Sequence, residues 1–111
     1  MDEGVERARI HFLKEIIEYK PGSVESLTIT KKTTGYINAM AFDAGQEFDG
    51  KTSPFDSFVQ VTEGDAEIII GENQNFLKTS EAIIIPAHIP NMIKANKKFK
   101  MLLTVIKSGY E

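Results

Sequence analysis

The chain has 111 residues, a net charge of −3 and no cysteine. That length supports one compact domain with its own core and is short for two. The acidic balance gives no reason to expect nucleic acid or an anionic membrane as partner, and the lack of cysteine excludes disulfides, thiolate metal sites and a cysteine nucleophile.

No apolar run is long enough to span a bilayer. The start, MDEGVERARIHFLKE, is charged where a signal peptide would be apolar, so the expectation is a cytoplasmic protein. Residues 1–19 read as an N-terminal segment. Phe12, Leu13, Ile16 and Ile17 have helix-like spacing, which predicts a short helical turn over 11–17. Pro21-Gly22 then forces a break, because proline fixes φ and glycine permits the reversal.

Residues 20–107 read as β throughout, with 108–111 as a C-terminal tail. Val24, Leu27 and Ile29 lead into a turn at Lys31–Gly35. Tyr36 to Phe42 is apolar on both faces, with Ile37, Ala39 and Ala41 on one side and Tyr36, Met40 and Phe42 on the other. Such a strand must be covered on both faces. One face can line a barrel interior, and the other needs a second sheet or a second subunit. Phe58–Thr62 and Ala66–Ile70 read as strands joined at Glu63-Gly64-Asp65, and Gly71-Glu72-Asn73 turns the chain toward Phe76 and Leu77. Ala82–Ile85 is an apolar run stopped by Pro86. Asn91, Ile93 and Ala95 alternate with Met92 and Lys94, and Phe99–Ile106 is again apolar on both faces. Short strands at close spacing, with no long helical period, predict an all-β sandwich or barrel.

Two stretches carry a more specific pattern: GQEFDGKTSPFDSFVQVTEG, from Gly45 to Gly64, and SEAIIIPAHIPNMIKA, from Ser80 to Ala95. Their order and spacing resemble the two sequence motifs of the cupin family, and the likeness covers about Lys20 to Ile106. It implies a cupin, or jelly-roll-type, β-barrel that often forms a homodimer. In the first motif Gly45 and Gly64 stand at the two ends, but the positions that should carry metal ligands hold Lys51, Ser53 and Ser57. In the second, Pro86 is in place. Ser80 and His88 replace the two glycines, Asn91 the histidine and Ala95 the asparagine.

The family's metal chemistry needs imidazoles and a carboxylate or Gln pointing into the barrel. Lys51 is a cation, Ser53 and Ser57 are neutral hydroxyls, and Asn91 offers one carbonyl oxygen, so no metal is expected at the family position and no cofactor is expected. A divalent transition metal stays open through one route: His88 as a displaced ligand, or as a general acid/base, with Glu47, Asp49 or Asp56 as supporting acids. The ordinary reading of His88 is an exposed loop residue. Lys51 reads either as a surface lysine in a turn-rich loop or as a cation placed where the metal charge would sit, able to bind an anion or to act as a base or Schiff-base lysine. Asp56 reads as a turn residue satisfying nearby N–H groups. Gln60 is out of phase with Ser57, Val59 and Val61 and should face away from the pocket. Phe48, Phe55, Phe58, Tyr36 and Phe42 read as core or dimer contacts.

Two functions follow from different classes. The first is a metal-free binding or structural barrel whose pocket, lined by Lys51, Ser53, Ser57, His88, Asn91 and Ile93, holds a small polar or anionic molecule, or nothing. The second is a metal-dependent or lysine-based enzyme of the dioxygenase, isomerase or decarboxylase type with a site rebuilt around His88.

Overall fold

In the computed structural model, which describes residues 4–107 of the chain, Val24–Lys32 (β1) and Gly35–Phe42 (β2) form an antiparallel hairpin. It is followed by Glu47–Asp49 (β3), Ser57–Glu63 (β4), Ala66–Ile70 (β5), Asn73–Leu77 (β6), Ala82–Ile85 (β7), Asn91–Lys94 (β8) and Phe99–Ile106 (β9). The strands make two antiparallel sheets, ordered β1-β2-β9-β4-β7 and β3-β8-β5-β6. This is an all-β jelly-roll barrel. Among the described residues there is no helix, and so none long and apolar enough to cross a membrane. The tail 108–111 lies outside the described residues.

The period of two sorts each strand into an inner and an outer face. Met40, Phe42, Val59, Val61, Ile68, Ile93, Phe99 and Met101 point inward and make one core between the sheets. Phe42 and Phe99 sit opposite each other on β2 and β9, fully buried, with stacked rings 4.5 Å apart. They close one end of the barrel. The other end is left to the loops that carry the two motifs.

The outer face of β2 and β9 is also apolar, and the chain covers part of it with its own N-terminal segment. Ile17 is buried against Ala39, Ala41 and Leu102, with Ile16, Tyr19 and Ile29 packed around them. Tyr19 is pinned from three sides. Its hydroxyl donates to Glu63 Oε2 at 2.6 Å, and the ammonium groups of Lys98 and Lys100 each stand 4.9 Å from its ring centre. Buried Lys100 also donates to the Lys14 carbonyl. Further back, the Val5 N–H donates to the Ile29 carbonyl, so the segment begins as an addition to the β1 edge.

The helical turn expected over 11–17 does not form. Glu15 and Ile16 both donate their N–H to the Phe12 carbonyl, and the turn goes no further. A helix nucleus fixes several residues for very few hydrogen bonds and needs burial to offset that cost. Phe12 and Leu13 are exposed, so no apolar contact supports a second turn, and Ile17 bends onto the sheet instead.

One buried carboxylate lies on the second sheet. Glu67 accepts from Asn96 Nδ2 at 3.0 Å and Gln74 Nε2 at 2.9 Å, and these hydrogen bonds hold its carboxyl below the usual carboxylate range. It is thus a satisfied structural acid rather than a reactive one.

Candidate functional site

The open end of the barrel contains a cavity of about 110 Å³. Its apolar walls are Phe48, Phe55, Ile85, Ile93, Leu103 and Val105, and its polar edges are Tyr36, Ser53, Ser57 and Asn91. At roughly 30 Å³ per water, that is room for three or four waters or one small molecule. It is smaller than the pockets of roughly 300 Å³ or more that hold drug-sized ligands.

The two motif loops are tied together above this cavity. Asn91 Nδ2 donates to the Lys51 carbonyl at 3.0 Å and the Ile89 carbonyl at 3.3 Å. The His88 N–H donates to the Ser53 carbonyl at 2.7 Å, and the Gly50 N–H to the Asn91 carbonyl at 3.2 Å. A side chain at Gly50 would collide with the Asn91 amide, its Cβ falling 1.9 Å from Oδ1. Gly50 therefore makes room for Asn91, and Asn91 clamps the loop after β3 to the turn before β8. Both amide protons are spent on carbonyls. Only Oδ1 is left as an acceptor.

Four of the residues expected in the pocket do line it: Ser53, Ser57, Asn91 and Ile93. Lys51 and His88 are exposed and stand outside its wall. Lys51 donates its N–H to Asp49 Oδ1 at 2.8 Å, and Asp56 Oδ1 accepts from the Ala87 N–H at 2.8 Å. Glu47 stands 3.8 Å from Lys94 on the outside of the second sheet. The three supporting acids are all exposed and serve loops or the outer face. Tyr36, Phe48 and Phe55, read from sequence as core or dimer contacts, form cavity wall. The signal was available: Tyr36 and Phe48 lie on inward positions at strand ends, where the barrel opens.

The residues at the family's ligand positions do not fit a metal. Ser53 Oγ accepts from the Phe55 N–H at 3.1 Å, and the Asn91 amide is a clamp. Among the described residues no group of three His, Asp or Glu side chains stands together so as to hold a metal ion.

The backbone is left-handed at two positions where the resembled motif carries glycine. Ser80 has φ +77° and His88 has φ +68°, both left-handed. These are the two second-motif positions at which glycine is replaced. A residue with a Cβ is strained there by about 1–2 kcal/mol. His88→Gly is therefore expected to raise stability by about 1 kcal/mol, read as a higher urea midpoint at unchanged slope. A loss of stability would mean that the imidazole makes a contact this geometry does not include.

Neither a family model nor a curated protein matches the sequence. Solved structures do. A conserved protein of unknown function from Streptococcus pyogenes superposes with a TM-score of 0.89 at 29% identity, over 96% of this chain and 93% of that one. A cupin 2 conserved barrel domain protein from Leptotrichia buccalis superposes with a TM-score of 0.80 at 28% identity, over 85% of this chain and 46% of that one. The chain has the cupin barrel fold. A cupin superfamily protein from Desulfitobacterium hafniense, at 19% identity and a TM-score of 0.83 over 94% of each chain, has the same fold. The cupin frame and the hydrogen-bonded loops are thus present together, while the positions that hold metal in the family carry hydroxyls, an ammonium and a clamping amide.

Proposed function

We propose that this cupin is a metal-free barrel that binds a small molecule in the cavity at its open end. The observation that carries this reading is the Asn91 clamp. At the position of the family's second-motif histidine stands an amide whose protons hold two backbone carbonyls, in a site with no group of metal ligands among the described residues. The cavity's hydroxyls and one free amide oxygen suit a ligand of a few heavy atoms with a polar end and an apolar body. The test is elemental analysis after each of Mn, Fe, Co, Ni, Cu and Zn is offered and washed out by gel filtration. No retained metal is expected, together with a raised melting temperature in the presence of a cavity ligand, since a ligand binding only the folded state must stabilise it. Near-stoichiometric metal would overturn the reading and move attention to His88 with Glu47, Asp49 or Asp56 as the centre of an enzyme.

A second copy of the chain is the partner proposed for the outer face. The N-terminal segment covers Ala39, Ala41 and Leu102, but the rest of that sheet carries Phe58, Ile84 and Ile106 at 38%, 59% and 55% exposure. Phe58 pairs with Ile84 on β7 and with Thr104 on β9, so the strip is continuous and free of charge at its centre. A two-fold interface sets the residues at its axis near their own copies, which a charge-free centre tolerates and a charged one does not. Ile84→Glu is expected to convert a dimer into a monomer in light scattering behind gel filtration, with the β-sheet circular dichroism spectrum retained. A wild-type protein that runs as a monomer at high micromolar concentration would sink the proposal.

A further inference from the structure

The cavity wall contains no charged side chain, yet one cation stands against its Tyr36 edge. Phe99, Met101, Leu103 and Val105 alternate inward along β9, and the same alternation carries Lys107 to the inner side at the barrel mouth. The ladder continues that far, because the Lys107 N–H donates to the Thr34 carbonyl at 2.8 Å. Its ammonium stands 5.3 Å from the centre of the Tyr36 ring, and Tyr36 forms part of the cavity wall. Among the described residues no carboxylate pairs with Lys107. An aromatic face holds an ammonium without neutralising it, so the positive charge stays available to an anion. Lys31 is opposite Tyr36 in the β1–β2 ladder, which places a second cation at the same edge of the mouth.

We propose that the ligand of this cavity is a short-chain carboxylate, with its anionic end at Lys107 and its carbon chain between Phe48, Ile93, Leu103 and Val105. This rests on the reading of the barrel as a binding site and adds the ligand's charge and shape. The apolar walls select a carboxylate over inorganic phosphate, which would bury its oxygens against carbon. The size of the cavity limits the chain to a few carbons. Ser57 lies on the wall beside Val105 and supplies a hydroxyl that can donate to the same anion. Lys51 takes no part.

The test is a titration of ¹⁵N-labelled protein with sodium butyrate, with butyramide as its neutral counterpart and inorganic phosphate as a second anion, at fixed ionic strength. Butyrate is expected to move the amide signals of Tyr36, Ser57 and Val105 and to bind about fivefold more tightly than butyramide, the effect of one partly exposed charge. Lys107→Met should remove that advantage and leave butyramide binding unchanged. Lys107→Arg should restore it, and Lys51→Met should change neither ligand. Equal binding of butyrate and butyramide, loss of the advantage in Lys51→Met, or phosphate binding more tightly than butyrate would each overturn the carboxylate assignment while leaving a binding barrel. Absence of shifts with all three ligands would overturn both the assignment and the binding reading.

Discussion

Phe99→Ala is expected to lower the unfolding free energy by about 3–5 kcal/mol, the usual cost of emptying an aromatic site in a core. The ring is completely buried and stacks on Phe42 across the β2–β9 ladder, so its removal strips one face of a second fully buried ring. The surroundings have little freedom to collapse into the gap. On one side Gly64, at φ +83°, brings the backbone so near that a Cβ there would lie 3.0 Å from the Phe99 Cβ. A domain of this size has a total stability of roughly 5–15 kcal/mol, so the variant should be partly unfolded at physiological temperature. Phe76→Ala is the matched control. Phe76 is 67% exposed on the edge strand of the second sheet, and its loss should stay within about 0.5 kcal/mol. Urea unfolding of the two variants compares them directly. A Phe99→Ala cost below about 1.5 kcal/mol would mean that the closed end repacks freely.

The strands were legible because alternation and turn residues agree. The Tyr36–Phe42 and Phe99–Ile106 segments, apolar on both faces, do lie in the middle of a sheet covered on both sides along part of their length. What covers the outer side was not legible. Ile16 and Ile17 have the spacing of a helical turn, and the same spacing serves a bent segment that lays two side chains on a sheet. Nothing local distinguishes the two. β3 was missed because three residues are too few to show alternation. At the site, the motif's ligand positions led to Lys51, Ser53, Ser57 and Asn91, and the last three are on the cavity wall. The motif could not give the role of Asn91, which depends on the carbonyls of Lys51 and Ile89 arriving within hydrogen-bond reach. Lys107 lies one step past Ile106, the last residue of β9 and well outside both motifs, and only the continued alternation of that strand points to it. The Asn91 clamp and the absence of a histidine at that motif position belong together. A metal-ligating imidazole at 91 is neutral at its coordinating nitrogen and keeps only one N–H to donate, so a loop tie of this kind and a metal ligand compete for one position.

Tyr19→Ala is expected to cost about 2–4 kcal/mol and to free the N-terminal segment from the sheet. The half-buried ring joins the cluster over Ala39, Ala41 and Leu102, stands between two ammonium groups and donates to Glu63. Tyr19→Phe keeps the packing and both cation–π contacts and removes only the hydrogen bond to a carboxylate, for about 1.5–3 kcal/mol at most. Trypsin separates the two outcomes, since the Lys14–Glu15 bond adjoins the pinned stretch, whereas Lys20 is protected by Pro21. Cleavage there should accelerate in Tyr19→Ala before global unfolding and change little in Tyr19→Phe. The phenol adds a pH signature. Burial, the hydrogen bond to Glu63 and that carboxylate's charge all raise its pKa above the ordinary 10.0. The folded state therefore holds this proton after the unfolded chain has released it. Wild-type stability contributed by the phenol is complete below pH 10 and falls as pH rises beyond it. The charged groups around the ring are the same in Tyr19→Phe. The informative quantity is thus the gap between wild type and Tyr19→Phe, which should narrow steadily above pH 10. A gap that stays constant to pH 11 would show that Tyr19 ionises as freely in the fold as outside it, and that the pin is packing alone.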